Sequence, residues 1–317
     1  DLGGPIFDSD RHAAFWRGLI DAAMENWTQA HAELQEAGPV LRRYPVEWQA
    51  RARLADAEAS LGMGRLELAD AALQKLPHNL NQRQTLEAEL DRGRIFATEN
   101  RYRAAQPLFD SVIKGGYEPL AVQAIFYNAN AALSAGAIST PKAIDTLERL
   151  RFRWRGDSLE MMTLRKLASL YFGQKKWRDG LRLLRVASHS FTNDAARHAE
   201  DDMRAAFVNL YLKGGADKLP PVESLSLFYD FIDLTPIGPD GDEMIRRMSD
   251  RLVSVDLLGP VADLLSYQVN KRLDGLARAQ VATKLTAIYL MDHKPQAAID
   301  TLRLTKISGS PDDIAQQ

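Results

Sequence analysis

The strongest constraint on this chain is a recurring triplet: a small residue, then apolar or near-apolar residues four and seven positions on. Ala30–Leu34–Ala37 is the first copy. Ala69–Leu73–Leu76, Ala105–Phe109–Val112, Ala143–Leu147–Leu150 and Gly180–Leu184–Ala187 follow. Ser224–Phe228–Phe231, Ala262–Ser266–Val269 and Ala298–Leu302–Thr305 are weaker copies. The lead residues lie 39, 36, 38, 37, 44, 38 and 36 positions apart. Repeats of this length stack side by side and need not enclose one globular core.

Helical periodicity dominates between the copies, and strand alternation is absent. Breakers and caps divide the 317 residues into about sixteen helices in eight pairs. The expected pairs are 9–25 with 28–43, 46–61 with 65–76, 80–98 with 102–114, and 118–135 with 140–154. The rest are 158–174 with 177–190, 193–213 with 221–233, 241–255 with 259–271, and 275–292 with 295–306. Short turns such as Met63-Gly64, Glu99-Asn100-Arg101 and Gln174-Lys175-Lys176 make each pair antiparallel. The small lead residue lets the second helix approach the first closely. The expected fold is therefore an all-α solenoid spanning 1–317 as one domain. Seams are expected at 214–221 and 234–241, where Pro and Gly cluster.

Composition agrees: 45% hydrophobic residues supply a core and 26% charged residues keep the surface wet. Net charge is −2, which removes any global pull towards nucleic acid or anionic lipid. Locally the balance shifts. Residues 149–185 carry 11 Lys/Arg against 3 Asp/Glu, whereas 194–250 carry 6 against 12 and the first 50 carry 4 against 8. A solvated face and a charged partner surface both account for this. Cysteine is absent, which excludes disulfides, thiolate metal sites and Cys nucleophiles. No apolar run approaches the roughly 18 residues of a membrane span. A start at Asp1 without Met suggests a processed or truncated form. Ser308-Gly309-Ser310-Pro311-Asp312-Asp313 reads as the start of another helix, so the solenoid is expected to continue past Gln317.

Catalytic signatures are missing. The six histidines form no zinc motif, and Gly62-Met63-Gly64 lacks the third glycine of a dinucleotide loop. Asp194, His198 and Asp202 share a helix face, which reads as a charged surface before it reads as a metal set. Asp240-Gly241-Asp242-Glu243 lacks calcium-loop spacing and reads as a helix cap. The run Arg149-Leu-Arg-Phe-Arg-Trp-Arg155 could grip phosphates and bases or an acidic peptide, or could simply close a helix end. No enzyme activity, cofactor or metal is expected.

Around each triplet the residues resemble tetratricopeptide repeats. Trp27–Ala30–Leu34–Ala37, Tyr102–Ala105–Phe109–Val112 and Trp177–Gly180–Leu184–Ala187 match the aromatic, small and apolar positions of that family's second helix. Leu66–Ala69–Leu73–Leu76 is close, and His293-Lys294-Pro295-Gln296-Ala297-Ala298 keeps the frame without the aromatic. The departure is the period, longer throughout than the family's usual unit of about 34 residues. The resemblance implies a right-handed superhelix and a bacterial scaffold that binds a segment of a partner protein on a concave face made by the first helices. Family contacts fall two, six and nine positions before the second-helix aromatic. Carried over, they point to Phe96 and Asn100, to Tyr171 and Lys175, and to Tyr289 and His293. In pair four, Tyr127, Asn130 and Ser134 share one face, and Arg165 adds to the basic middle. The family's clamp for chaperone C-termini is not reproduced. The expected partner is a protein or peptide with some acidic character, held around pairs three to five. Nucleic acid bound through 149–185 and a docking role within a larger enzyme are the alternatives. The lack of Cys and the absent natural start favour the periplasm or cell envelope slightly over the cytoplasm.

Overall fold

The computed structural model describes residues 10–190 and 194–303. Within them every regular element is helical and no strand occurs. The chain divides into two compact units, Asp1–Leu170 and Tyr171–Gln317.

In the first unit, α1 (Arg11–Ala23) packs on α2 (Trp27–Glu36), which is followed by a short α3 (Gly38–Leu41). Then come α4 (Val46–Gly62) with α5 (Leu66–Gln74), α6 (Gln82–Thr98) with α7 (Tyr102–Lys114), and α8 (Glu118–Ser134) with α9 (Thr140–Arg153). The first helices also stack on one another, α1 on α4, α4 on α6 and α6 on α8. Helix α10 (Ser158–Gly173) crosses the division between the units. The second unit continues with α11 (Trp177–Ser190), α12 (Asp194–Leu212), α13 (Pro221–Asp230), α14 (Pro239–Val253), α15 (Leu258–Lys271), α16 (Gly275–Met291) and α17 (Pro295–Leu302). There α11 packs on α12, α12 on α14, α14 on α15, and α16 on both α15 and α17. Phe228 of α13 lies against Phe207 and Tyr211 of α12.

The small lead residues do what their size allows. Ala30, Ala69, Ala105, Ala143, Gly180, Ser224, Ala262 and Ala298 are all buried. The larger anchors Leu34, Leu73, Phe109, Leu147, Leu184 and Phe228 are buried beside them. The last two pairs differ by one residue from the expected triplet. Leu265 and Thr301 take the buried place, while Ser266 is half-buried and Leu302 is exposed. A three-residue step lies on the same helix face as a four-residue step, so the packing survives the shift.

Every pair turns through one left-handed residue: Glu25, Gly64, Asn100, Gly136, Lys175, Gly214, Asp256 and His293, with φ between 56° and 80°. In seven of the eight, the amide after it bonds the carbonyl five residues back, at 2.8–3.0 Å. These bonds are Asn26 to Asp21, Arg65 to Ser60, Arg101 to Phe96, Ala137 to Ala132, Lys176 to Tyr171, Leu257 to Leu252 and Lys294 to Tyr289. This is the Schellman closure, which satisfies carbonyls that the helix end would otherwise orphan. After Gly214 the chain instead makes a 3-10 turn at Ala216–Lys218 before Pro221 opens α13.

Some boundaries differ from the sequence expectation. The second helix of pair one breaks at Ala37, because Pro39 has no amide to continue the ladder and α3 starts anew. Helix α13 ends at Asp230 and a separate 3-10 turn covers Ile232–Leu234. Helix α14 starts at Pro239, with Asp240 and Asp242 in its first turn, where the helix dipole favours them. Thr305 and the segment 308–313 lie outside the described residues.

Candidate functional site

In the first unit a cleft of about 170 Å³ opens on the face of the first helices. Its walls are Arg51, Leu54, Ala55 and Glu58 of α4, Arg83, Glu87, Leu90 and Asp91 of α6, and Tyr117, Pro119, Leu120 and Gln123 at and within the start of α8. No second helix contributes. Half of the lining shares one register, counted back from each left-handed turn residue: Glu58 six positions before, Ala55 and Asp91 nine before, and Arg51, Glu87 and Gln123 thirteen before. Arg94 and Asn130, six before, and Tyr127, nine before, continue that register outside the lining.

The cleft is basic at its rim and acidic at its floor. The side chains of Arg51 and Arg83 are 45% and 55% exposed, whereas Glu87 and Asp91 are 13% and 7% exposed. Arg83 Nε donates to Glu87 Oε1 at 2.9 Å and Arg51 Nη1 to the same oxygen at 3.4 Å. Arg94 Nη1 donates to Asp91 Oδ1 at 3.1 Å, and its guanidinium lies 4.7 Å over the Tyr127 ring. Burial pushes the Asp91 carboxyl up to about 7. Arg94 pulls against this, and the neighbouring Glu58 and Glu87 add to it. Glu58 is raised too, chiefly by burial, with Arg94 and Arg51 opposing. Burial also raises the Tyr127 hydroxyl.

The second unit repeats this register with charge. Glu243, Arg247 and Asp250 of α14 stand thirteen, nine and six positions before Asp256. Lys284 of α16, nine before His293, pairs with Asp250. Hydrogen bonds from Arg246 and Arg247 hold the Glu243 carboxyl down at about 2.

The ten residues marked from sequence fall into four groups. Tyr127 and Asn130 lie on the lining register. Asn130 Nδ2 donates to Phe126 O at 2.9 Å, and its buried Oδ1 has no partner. Asn100, Lys175 and His293 are the left-handed turn residues themselves, exposed at the hairpin tips. Phe96, Tyr171 and Tyr289 supply the carbonyls that close those turns. Arg101 covers the Phe96 ring at 4.4 Å, and Lys176 lies 5.7 Å over Tyr171. Ser134 is the exposed last residue of α8, and Arg165 is half-buried on α10. Counting two and six positions back from the second-helix aromatic therefore reaches the turn and not the cleft. Nine back reaches Gly18, Ala57 and Gly93, and Gly18 and Gly93 are where Leu34 and Phe109 seat. That count passes over Arg51, Glu58, Glu87, Asp91 and Arg94, which the spacing from the turn residues marks.

In the run 149–155 three of the four arginines have acidic partners. Arg149 Nε bonds Asp145 at 3.2 Å, Arg151 pairs with Glu148 at 3.0 Å, and Arg153 grips both Glu118 oxygens at 2.6 and 2.7 Å. Trp154 Nε1 donates to Asp157 at 2.7 Å, while Phe152 stays 66% exposed. Among the described residues no group of three metal-ligating side chains converges, and no helix is long and apolar enough to cross a membrane.

Buried small leads, left-handed turns and one lining register on the first helices define the architecture. The described residues form an all-α repeat of antiparallel helix hairpins. No family model matches the chain and no curated protein matches its sequence. Among solved structures it is similar to the apo form of the quorum sensor NprR from B. thuringiensis. That match has TM-score 0.49 and 11% identity, covering 93% of this chain and 97% of that one. The apo form of RapI gives 0.46 and 10%, covering 93% and 84%. A signal-transduction ATPase with a tetratricopeptide repeat sensor, from Pyrococcus horikoshii, gives 0.45 and 11%, covering 92% of this chain and 45% of that one.

Proposed function

We propose that the chain is a non-catalytic docking module whose first-helix face receives a segment of a partner protein. The observation that carries this is the cleft among α4, α6 and α8, built wholly from first helices. Its size argues against a cofactor, since small-molecule pockets run to about 300–1,000 Å³. Asp91, the carboxyl most raised, is held by Arg94 and has no nucleophile beside it in the lining. The acidic partner anticipated from residues 149–185 gains less support from the structure, because Arg149, Arg151 and Arg153 already bond acids. The same pairings weigh against nucleic acid, which needs cations free to neutralise phosphates.

Site-specific photo-crosslinking tests the reading. A crosslinker at Gln123, on the lining, is expected to capture a discrete partner from a lysate of the source organism. The same group at Gln74, exposed on the second helix α5, is expected to capture none. Equal capture at both positions, or capture at Gln74 alone, would remove the first-helix face as the docking surface.

A further inference from the structure

The cleft is more specific than a docking face requires. Its room, about 170 Å³, suits one long side chain and not a helix or strand. Leu54, Ala55, Leu90, Pro119 and Leu120 give it apolar walls. Two carboxylates in it are incompletely partnered. Glu58 has no hydrogen bond or ion pair among the described residues. Asp91 is 5% exposed, and of its two oxygens only Oδ1 takes a hydrogen bond, from Arg94. Their oxygens are not sealed from water, so they are acceptors open to a donor that enters the cleft.

The cations already present do not fill that place. Arg51 and Arg83 both turn to Glu87 at the rim, and Arg83 also lies 4.9 Å over Tyr117. Arg94 is shared between Asp91 and the Tyr127 ring. An apolar shaft ending in accessible carboxylate acceptors matches one kind of protein side chain, an aliphatic stem with a cationic head.

Resting on the docking reading above, we propose that the cleft between α4, α6 and α8 seats a single lysine or arginine of the partner segment. The stem lies between Leu54, Leu90 and Leu120, and the charged head donates to Glu58 and Asp91. The partner segment is thus cationic at this point. The arginines on the rim select against a segment with several adjacent positive charges, so an isolated cation flanked by neutral or acidic residues fits best.

The groups facing this cation are Arg51 and Glu58 of α4, Arg83, Glu87, Asp91 and Arg94 of α6, and Tyr117 and Tyr127 at and within α8. Glu25 in the α1–α2 turn adds a more distant negative charge. Because the buried carboxyls resist ionisation, a cation that binds them displaces protons, and binding strengthens as pH rises from about 5 to about 8.

The test is selection of random dodecapeptides displayed against the whole chain, followed by titration of the winners into wild type, Glu58→Gln and Gln123→Arg. Winners are expected to share one Lys or Arg. Their affinity is expected to fall at least tenfold on Glu58→Gln, and equally when that residue becomes norleucine or citrulline. Gln123→Arg, which crowds the cleft, should weaken them as well. Unchanged circular dichroism and melting of Glu58→Gln establish that the variant folds; should it not, the norleucine and citrulline peptides alone decide. Winners blocked by Gln123→Arg but indifferent to Glu58→Gln and to loss of the cation overturn the cationic seat and leave the docking face standing. Winners indifferent to Gln123→Arg, or none at all, overturn the docking reading itself.

Discussion

Phe109 of α7 lies so close to Gly93 of α6 that a β-carbon on the glycine would stand 2.7 Å from the ring. The absence of a side chain at 93 sets how near the two helices of pair three approach. Gly93→Ala is therefore expected to destabilise by about 1–2 kcal/mol, because overpacking outweighs the gain of about 1 kcal/mol in helix propensity. At Gly173 the sign reverses, because a β-carbon there would meet nothing within 4 Å. Gly173→Ala should stabilise by up to about 1 kcal/mol. Urea melts of the two variants check this: a pair moving in the same direction contradicts the packing argument.

Asp91 makes stability depend on pH. Its carboxyl is raised from 3.8 to about 7 in the folded protein. Between those values the folded chain holds a proton that the unfolded chain has lost, so stability falls as pH rises through the window. Wild type should lose ground to Asp91→Asn from about pH 4 to about pH 7, by up to about 1.4 kcal/mol per pH unit. Denaturation of both proteins across that range measures the difference directly; a flat difference contradicts burial as the dominant cause.

Helix α6 opens with a reciprocal cap. Asn81 Oδ1 accepts from the Gln84 amide at 2.9 Å, and Gln84 Oε1 accepts from the Asn81 amide at 3.2 Å. Gln84 Nε2 also donates to Glu47 O at 3.0 Å, which ties pair three to pair two. Asn81→Ala should cost about 1 kcal/mol. Gln84→Ala should cost more, since it also leaves the Glu47 carbonyl without that donor. Equal losses would mean the link to Glu47 contributes nothing.

Lys175 holds φ at 61°, a region costly to any side chain with a β-carbon. Lys175→Gly is expected to stabilise by about 0.5–1 kcal/mol, the left-handed cost less the entropy that glycine adds to the unfolded chain. Crosslinking from Gln123 should be unaffected, because Lys175 is a turn residue in the other unit. A loss of capture on Lys175→Gly would return the turn to the binding surface.

Much of this fold is legible in the residues. The triplets place buried second-helix positions because a four-then-three step keeps one helix face, and Pro and Gly mark where helices stop. The break at Ala37 and the shifts to Leu265 and Thr301 are visible only in the structure, since neighbouring residues of similar character compete for one buried place. The site is less legible. Asn100 and Lys175 follow from a distance to an aromatic that packs in the hairpin, and His293 from the same distance to Pro295; that distance crosses the turn.

The sequence by itself determined the all-helical repeat, its eight pairs and the turns between them, because period, small residues and breakers act locally. Only the tertiary structure decided which faces meet. Stacking α4, α6 and α8 brings Glu58, Asp91 and Arg51, from separate repeats, into one cleft. It also desolvates carboxylates that read as ordinary surface charge along the chain. Burial and partner are properties of neighbours in space, and no spacing along one helix contains them.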